Sequence, residues 1–195
     1  MPRRRRSSSL FGTSLWRRPV QRGIMAVVIL VVLFLIGLVP EFRDKLLQRN
    51  TGPLQEGVWA LVRVVDGDTL VVRDDSGTEH KIRLIGADTP ETVKPNHPVE
   101  PYGPEASAFT KQVIAESGNR VRVAFDGDQI DRYGRNLAMI YLQTADGEVL
   151  LNELLIREGL ARAQTQYRYS KEMKIRFQAA EDAAKAERRN IWSGK

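Results

Sequence analysis

The 195-residue sequence predicts an α+β protein: a small barrel of five short strands with about three helices, preceded by one transmembrane helix. Three observations lead there. Short apolar, β-branched segments divided by Asp/Gly turns fill residues 58–86 and return at 120–125 and 137–142. Helical periodicity is confined to one insert after the third strand and to the last third of the chain. An uncharged apolar run of 17 residues lies near the N-terminus.

Residues 1–22 carry seven arginines and no acid (RRRRSSS, then WRRP) and read as a basic tail at a membrane surface. Residues 23–39 (GIMAVVILVVLFLIGLV) follow, about 25 Å long as a helix. A cleaved signal peptide has a shorter apolar core and small residues at its cut, yet no alanine occurs between Ala26 and Ala60. The run therefore reads as an uncleaved signal-anchor rather than a leader. Its near flank is the more basic one, which keeps the N-terminus cytoplasmic and the C-terminal domain periplasmic or extracellular. Residues 40–57 form a linker broken by Gly52, Pro53 and Gly57, and the domain is expected to occupy 58–195.

In that domain 58–65 (VWALVRVV), 69–73 (TLVVR) and 79–86 (EHKIRLIG) read as three meandering strands split by DGD and DDSG turns. The alternation in the third puts Ile82 and Leu84 on one face; His80 is expected to be exposed. A proline-rich loop leads to a helix over 104–117, with Pro104 at its first position and Ala106, Phe109, Val113 and Ile114 as its apolar stripe. Strands at 120–125 (RVRVAF) and 137–142 (LAMIYL), a short helix over 150–158 closed by Gly159, and a charged helix over 171–189 complete the order. This order fits a closed barrel of the OB type.

Composition narrows the chemistry. With no cysteine there are no disulfides, thiolate metal sites or cysteine nucleophile, and His80 and His97 are too few for a multi-histidine centre. Removing the seven tail arginines from the 30 basic residues leaves 23 against 24 acidic, so the net charge of +6 belongs to the tail. Anion recognition in the domain must come from a few placed arginines. Three turns concentrate such residues: VVDGDT with Asp66 and Asp68; RLIGADTPET with Arg83, Asp88, Thr89 and Glu91; DRYGRNLA with Asp131, Arg132, Tyr133 and Arg135. Carboxylate and carbonyl oxygens select a hard cation such as Ca²⁺. A glutamate beside it orients or deprotonates water, and arginine forks match phosphate oxygens. Each turn alone has an ordinary structural reading; together they point to phosphodiester hydrolysis.

The strings VDGDT, RLIGADTPET, YGPEASAF, DRYGR, NELLIREGLA and NIWS make the chain resemble the staphylococcal nuclease family from about Val58 to Trp192. The resemblance implies a five-stranded OB barrel with three helices, and Ca²⁺-dependent hydrolysis of DNA and RNA at the 5′ P–O bond, leaving 3′-phosphates. It implies Asp68, Asp88 and the backbone oxygen of Thr89 as calcium ligands, Glu91 as general base, and Arg83 and Arg135 as phosphate-binding groups. Tyr133, Arg132 and Tyr167 would contact the nucleotide. Two departures bear on substrate affinity: the loop VKPNHPVEP keeps only Lys94 and His97 as basic groups, and ARAQTQYRY offers Thr165 and Tyr167 where the family has a tyrosine pair. The expected partner is a nucleic acid and the expected state a membrane-anchored monomer. A non-catalytic OB-fold nucleic-acid-binding module is the alternative reading.

Overall fold

The structure, a computed structural model, describes residues 54–92 and 98–194. The expected tail 1–22, transmembrane segment 23–39, most of the linker, Lys94 and His97 lie outside the described residues. Among the described residues no helix is long and apolar enough to cross a membrane.

The elements run β1 (Gly57–Asp66), β2 (Thr69–Arg73), β3 (Glu79–Leu84), β4 (Ala87–Asp88), α1 (Gly103–Glu116), β5 (Arg120–Ala124), β6 (Asn136–Thr144), β7 (Gly147–Leu150), α2 (Leu151–Arg157), β8 (Arg162–Ala163) and α3 (Lys171–Ala186). A 3₁₀ turn, Asn190–Trp192, follows. Strand β1 serves two neighbours. Its first residues pair with β5 (Trp59 opposite Val121) and the rest with β2 (Val64 opposite Leu70). Register shifts between Leu61 and Arg63 and between Val64 and Asp66 interrupt the second pairing, and such irregularities bend a strand around a corner. Strand β3 pairs antiparallel with β2 and parallel with β6, while β5 joins β6 to β1. The ring β1-β2-β3-β6-β5 is thereby closed, which is the expected five-stranded barrel with three helices. The turn at residues 144–147 joins β6 to β7 in a hairpin, whereas the two-residue ladder β4–β8 leaves no signal in the pattern.

The core of the barrel and its helix layer holds Leu70, Val72, Ile82, Leu84, Val121, Val123, Met139 and Ile140, all essentially inaccessible. Helices α2 and α3 cover it with Leu151, Leu155, Ile156 and Phe177. The packed unit reaches back past Val58. Leu54 is buried, and Glu56 Oε1 accepts the Phe125 N–H at 2.6 Å. On α1 the buried stripe is Ala106, Thr110 and Ile114, with Phe109 and Val113 partly buried beside it. Thr110 belongs inside because its hydroxyl donates to the Gly67 carbonyl at 2.7 Å. The third strand stops at Leu84, two residues early, because Gly86 turns the chain at φ +76° and lies against Phe177, where a Cβ would stand 2.6 Å from the ring. The last helix ends at Ala186; beyond it Arg188 adopts φ 51°.

His80 corrects an expectation. It is 3% exposed, on the same face of β3 as Ile82 and Leu84, as a two-residue repeat requires. Its Nε2 lies 2.9 Å from Asp74 Oδ2. That hydrogen bond, then the one from Ser76, hold the Asp74 carboxyl well below the usual carboxylate range. Trp192 docks the C-terminal turn: Arg162 and Lys185 each lie 4.6 Å from its ring centroid, and the Ile191 N–H donates to the Gly159 carbonyl.

Asn152, fully buried on α2, ties the helix layer to the barrel. Its Oδ1 accepts the Ile140 N–H at 3.0 Å, and Nδ2 donates to the carbonyls of Ile85 (2.8 Å) and Ala138 (3.3 Å). Asn152→Leu should lower the unfolding free energy by about 2–4 kcal/mol, because buried backbone groups lose their partner. Urea unfolding of the variant beside the parent checks this; a loss within error removes Asn152 from its bridging role.

Candidate active site

Strand register builds the site. In the β2–β3 ladder Thr69 stands opposite Arg83, which brings Asp68 beside the arginine. In the parallel β3–β6 pairing Arg83 stands opposite Leu137, which brings the 131–135 turn to its other side. Three segments far apart in sequence meet on one residue of β3.

Arg83 is largely buried and its guanidinium is shared. Nη1 pairs with Asp68 Oδ2 and donates to the Ala87 carbonyl at 2.7 Å; Nη2 pairs with Asp88 Oδ1 at 2.5 Å. Asp68 also accepts the Thr89 N–H at 2.9 Å, the Thr89 hydroxyl at 3.0 Å and the Thr69 hydroxyl at 2.9 Å. Burial nevertheless dominates and pushes the Asp68 carboxyl above its ordinary pKa, against the lowering effects of Arg83 and the Thr89 amide. The glycine of the DGD turn is required by space: a Cβ at Gly67 would lie 2.8 Å from both Ala106 Cβ and Thr89 Oγ1.

Asp66, the other acid of that turn, faces elsewhere. Its Oδ1 accepts the Gly67 N–H, the Thr92 hydroxyl at 2.6 Å and the Ser107 hydroxyl at 3.1 Å; Oδ2 accepts the Thr92 N–H at 3.3 Å. It pins the 89–92 turn, which carries Thr89 and Glu91, to the end of β1 and to α1. The Glu91 backbone is closed by a second pair of bonds, its N–H to Glu100 Oε2 and its carbonyl from the Glu100 N–H.

On the other side of Arg83, Asp131 organises its turn. Its Oδ1 accepts the N–H groups of Tyr133 and Arg135, and Oδ2 takes Arg135 Nε at 2.7 Å. Burial acts against the Asp131 charge, but the backbone and side-chain bonds from Arg135 outweigh it and hold the carboxyl below its usual range. Arg135 spends Nε on this pair and keeps its two terminal nitrogens out of it. Arg83, Asp131, Arg135 and Tyr167 line one cleft together with residues 84–87 and Leu137. Tyr133, on the same turn as Asp131 and Arg135, is 67% exposed, with Arg132 and Arg135 at 4.8 and 5.5 Å from its ring centroid. Tyr167, 44% exposed, is the aromatic that lines the cleft.

Of the residues singled out in the sequence, Asp68, Asp88, Thr89 and Arg83 are joined by direct bonds, Glu91 lies on the same pinned turn, and Arg135 and Tyr167 share the Arg83 cleft. Arg132 lies over the Tyr133 ring and does not line that cleft. Asp68 and Asp88 offer carboxylate oxygens that meet at one positive group, a donor chemistry that suits a hard cation, although among the described residues no cluster of three or more acidic or histidine side chains gathers to hold one. Sequence reasoning missed the tasks of Asp66, Asp131 and Gln164, the last of which donates to Asp88 Oδ2 at 2.8 Å. The spacing Asp131-x-x-x-Arg135 was a usable signal for one of them. Gln164 had none, since its partner is 76 positions away.

A model of the staphylococcal nuclease homologue family matches residues 81–194. The chain is 46% identical over 138 residues to a thermonuclease of Staphylococcus hyicus, covering 71% of this chain and 77% of that protein. It is 38% identical over 168 residues to a thermonuclease of Staphylococcus intermedius, covering 86% and 92%. It is also 39% identical over 134 residues to endonuclease YncB of Bacillus subtilis, covering 68% and 60%.

The raised pKa of Asp68 has a signed consequence for cation-free protein. Its contribution to stability is fully present below the unfolded carboxyl pKa of about 4 and is lost as pH rises through the higher folded value. Asp68→Asn should therefore be more stable than the parent at pH 7 in EDTA, with the difference vanishing toward pH 4. Urea titrations across that range check it; a variant less stable at pH 7 would put the Arg83 pair ahead of burial.

Proposed function

The chain belongs to the staphylococcal nuclease homologue family and is a nuclease; on that premise we propose that it is a calcium-dependent phosphodiesterase that cuts DNA or RNA at the 5′ P–O bond and leaves 3′-phosphates. One observation carries the reading: Arg83 is bonded to both Asp68 and Asp88 and lines one cleft with Arg135 and Tyr167. Two carboxylates bonded to one arginine, and a second arginine in the cleft which that arginine lines, suit a phosphodiester and the cation that accompanies it.

Asp68, Asp88 and the Thr89 backbone oxygen would hold the ion. When bound, such an ion draws negative charge off a phosphate and eases removal of a proton from a nearby water. Glu91 takes the proton of the attacking water, whose oxygen bonds to phosphorus as the P–O5′ bond breaks. Arg83 and Arg135 grip the non-bridging oxygens with planar forks and neutralise the charge that grows on them. Arg135, held through Nε by Asp131, is placed to assist the departing 5′ oxygen with its terminal nitrogens. Tyr133 and Tyr167 offer ring faces to the flanking nucleotides, and Arg132 adds charge beside the Tyr133 ring.

The uncharged segment 23–39 and the arginines before it support a single-pass anchor, with a cytoplasmic N-terminus and the nuclease domain outside the cytoplasmic membrane. The same residues support retention in the membrane fraction of cells.

Plasmid and single-stranded RNA substrates with Ca²⁺, with Mg²⁺ and with EDTA test the cation. Cleavage is expected with Ca²⁺ and abolished by EDTA; full turnover in EDTA refutes the proposal. Arg83→Ala and Arg135→Ala should each lower kcat by about 10²–10³-fold while the fold is kept. Glu91→Gln should keep nucleotide binding and lose most turnover; retained turnover removes Glu91 as the base.

A further inference from the structure

We infer that Gln164 is a positioning residue that fixes the Asp88 carboxylate for cation binding. The inference rests on the reading of Asp88 as a cation ligand and adds a residue to it.

The Asp88 side chain is 42% exposed and stands on a strand of two residues, so packing does little to orient it. Its hydrogen bonds must do so. Oδ1 takes Arg83 Nη2 at 2.5 Å, and Oδ2 takes Gln164 Nε2 at 2.8 Å. The two donors differ in kind. Arg83 is divided among Asp88, Asp68 and the Ala87 carbonyl, and a substrate phosphate would compete for the same guanidinium. No substrate oxygen is drawn to Gln164 with comparable force, so its bond persists when Arg83 turns to phosphate. The amide is also neutral. It satisfies one carboxylate oxygen without adding a second positive charge beside Arg83, which would weaken the attraction of Asp88 for a cation.

Gln164 is itself firmly placed. Its N–H donates to the Gly86 carbonyl at 2.9 Å, and its own carbonyl accepts the Tyr169 hydroxyl at 3.2 Å. The Gln166 amide donates to Gln164 Oε1, which commits the other end of the side-chain amide, Nε2, to Asp88. One residue earlier the Ala163 N–H donates to Glu181 Oε1 of α3, and Arg162 pairs with Asp88 in the β4–β8 ladder. Gln164 thus connects the helix layer to one oxygen of the exposed carboxylate. Groups that orient a metal's ligands in this way typically contribute about 10–100-fold to its affinity.

The test uses the full-length chain and Gln164→Met, which keeps the side-chain length and removes the donor. Ca²⁺ alone is titrated by calorimetry, cleavage is followed against Ca²⁺ concentration, and thermal unfolding is recorded in EDTA. The expected result is a Ca²⁺ Kd raised about ten-fold or more, with an equal shift in the Ca²⁺ needed for half-maximal cleavage. The kcat at saturating Ca²⁺ and the unfolding midpoint should stay near the parent values. An unchanged Kd overturns the inference, and so does a Kd that rises only together with a lowered unfolding midpoint. A parent chain that binds no Ca²⁺ overturns the cation reading and this inference with it; a parent that binds while the variant binds equally overturns the inference alone.

Discussion

Strand β3 is held on both edges, and the site exists because of that constraint. Antiparallel pairing to β2 fixes Thr69 opposite Arg83, and parallel pairing to β6 fixes Leu137 opposite the same residue. A slip of one position on either edge would turn β3 inside out, moving His80, Ile82 and Leu84 out of the core and Arg83 into it. The apolar pattern that closes the barrel therefore also sets where the guanidinium stands. Core packing and site geometry are one condition on this strand.

Around Arg83 the carboxylates divide the work by environment. Asp66 and Asp131 are saturated by donors from their own or adjoining turns, so they act as fasteners for the 89–92 and 131–135 segments. Asp68 accepts bonds from Arg83, Thr89 and Thr69, yet burial outweighs them and its charged form is disfavoured. A buried carboxylate of this sort costs stability and is retained where a cation or substrate repays it. The same contrast explains why two acids flanking one glycine have unrelated tasks: the turn at Gly67 aims them in different directions.

The helices support the site from behind. Helix α3 reaches β8 through Glu181, which also takes Lys185 Nζ at 2.7 Å; β8 carries Arg162, and Arg162 and Lys185 flank the Trp192 ring. The C-terminal turn returns to the start of α1, where the Tyr102 and Ser193 hydroxyls lie 2.8 Å apart. The run from Lys185 to Arg189 is thus engaged at its ends, with Arg189 paired to Glu158 and Glu187.

By itself the sequence determined the class of fold, the order of its main strands and helices, and the residue types from which a phosphodiester site is made. Those properties are local. Alternation, helical stripes, Asp/Gly turns and short motifs such as DGD and DRYGR are written within a few positions, and β-branched residues commit to strands where they stand. Only the tertiary structure decided that Arg83 bonds both Asp68 and Asp88, that His80 is buried against Asp74, that Asn152 bridges barrel and helix, and that Gln164 reaches Asp88. Each of these depends on which strand edges meet and in what register, or on a side chain finding its partner at a distance. Hydrogen-bond partners of that kind leave no periodic trace in the chain, because a single amide or carboxylate is chosen by the geometry of the closed barrel and not by its neighbours in sequence.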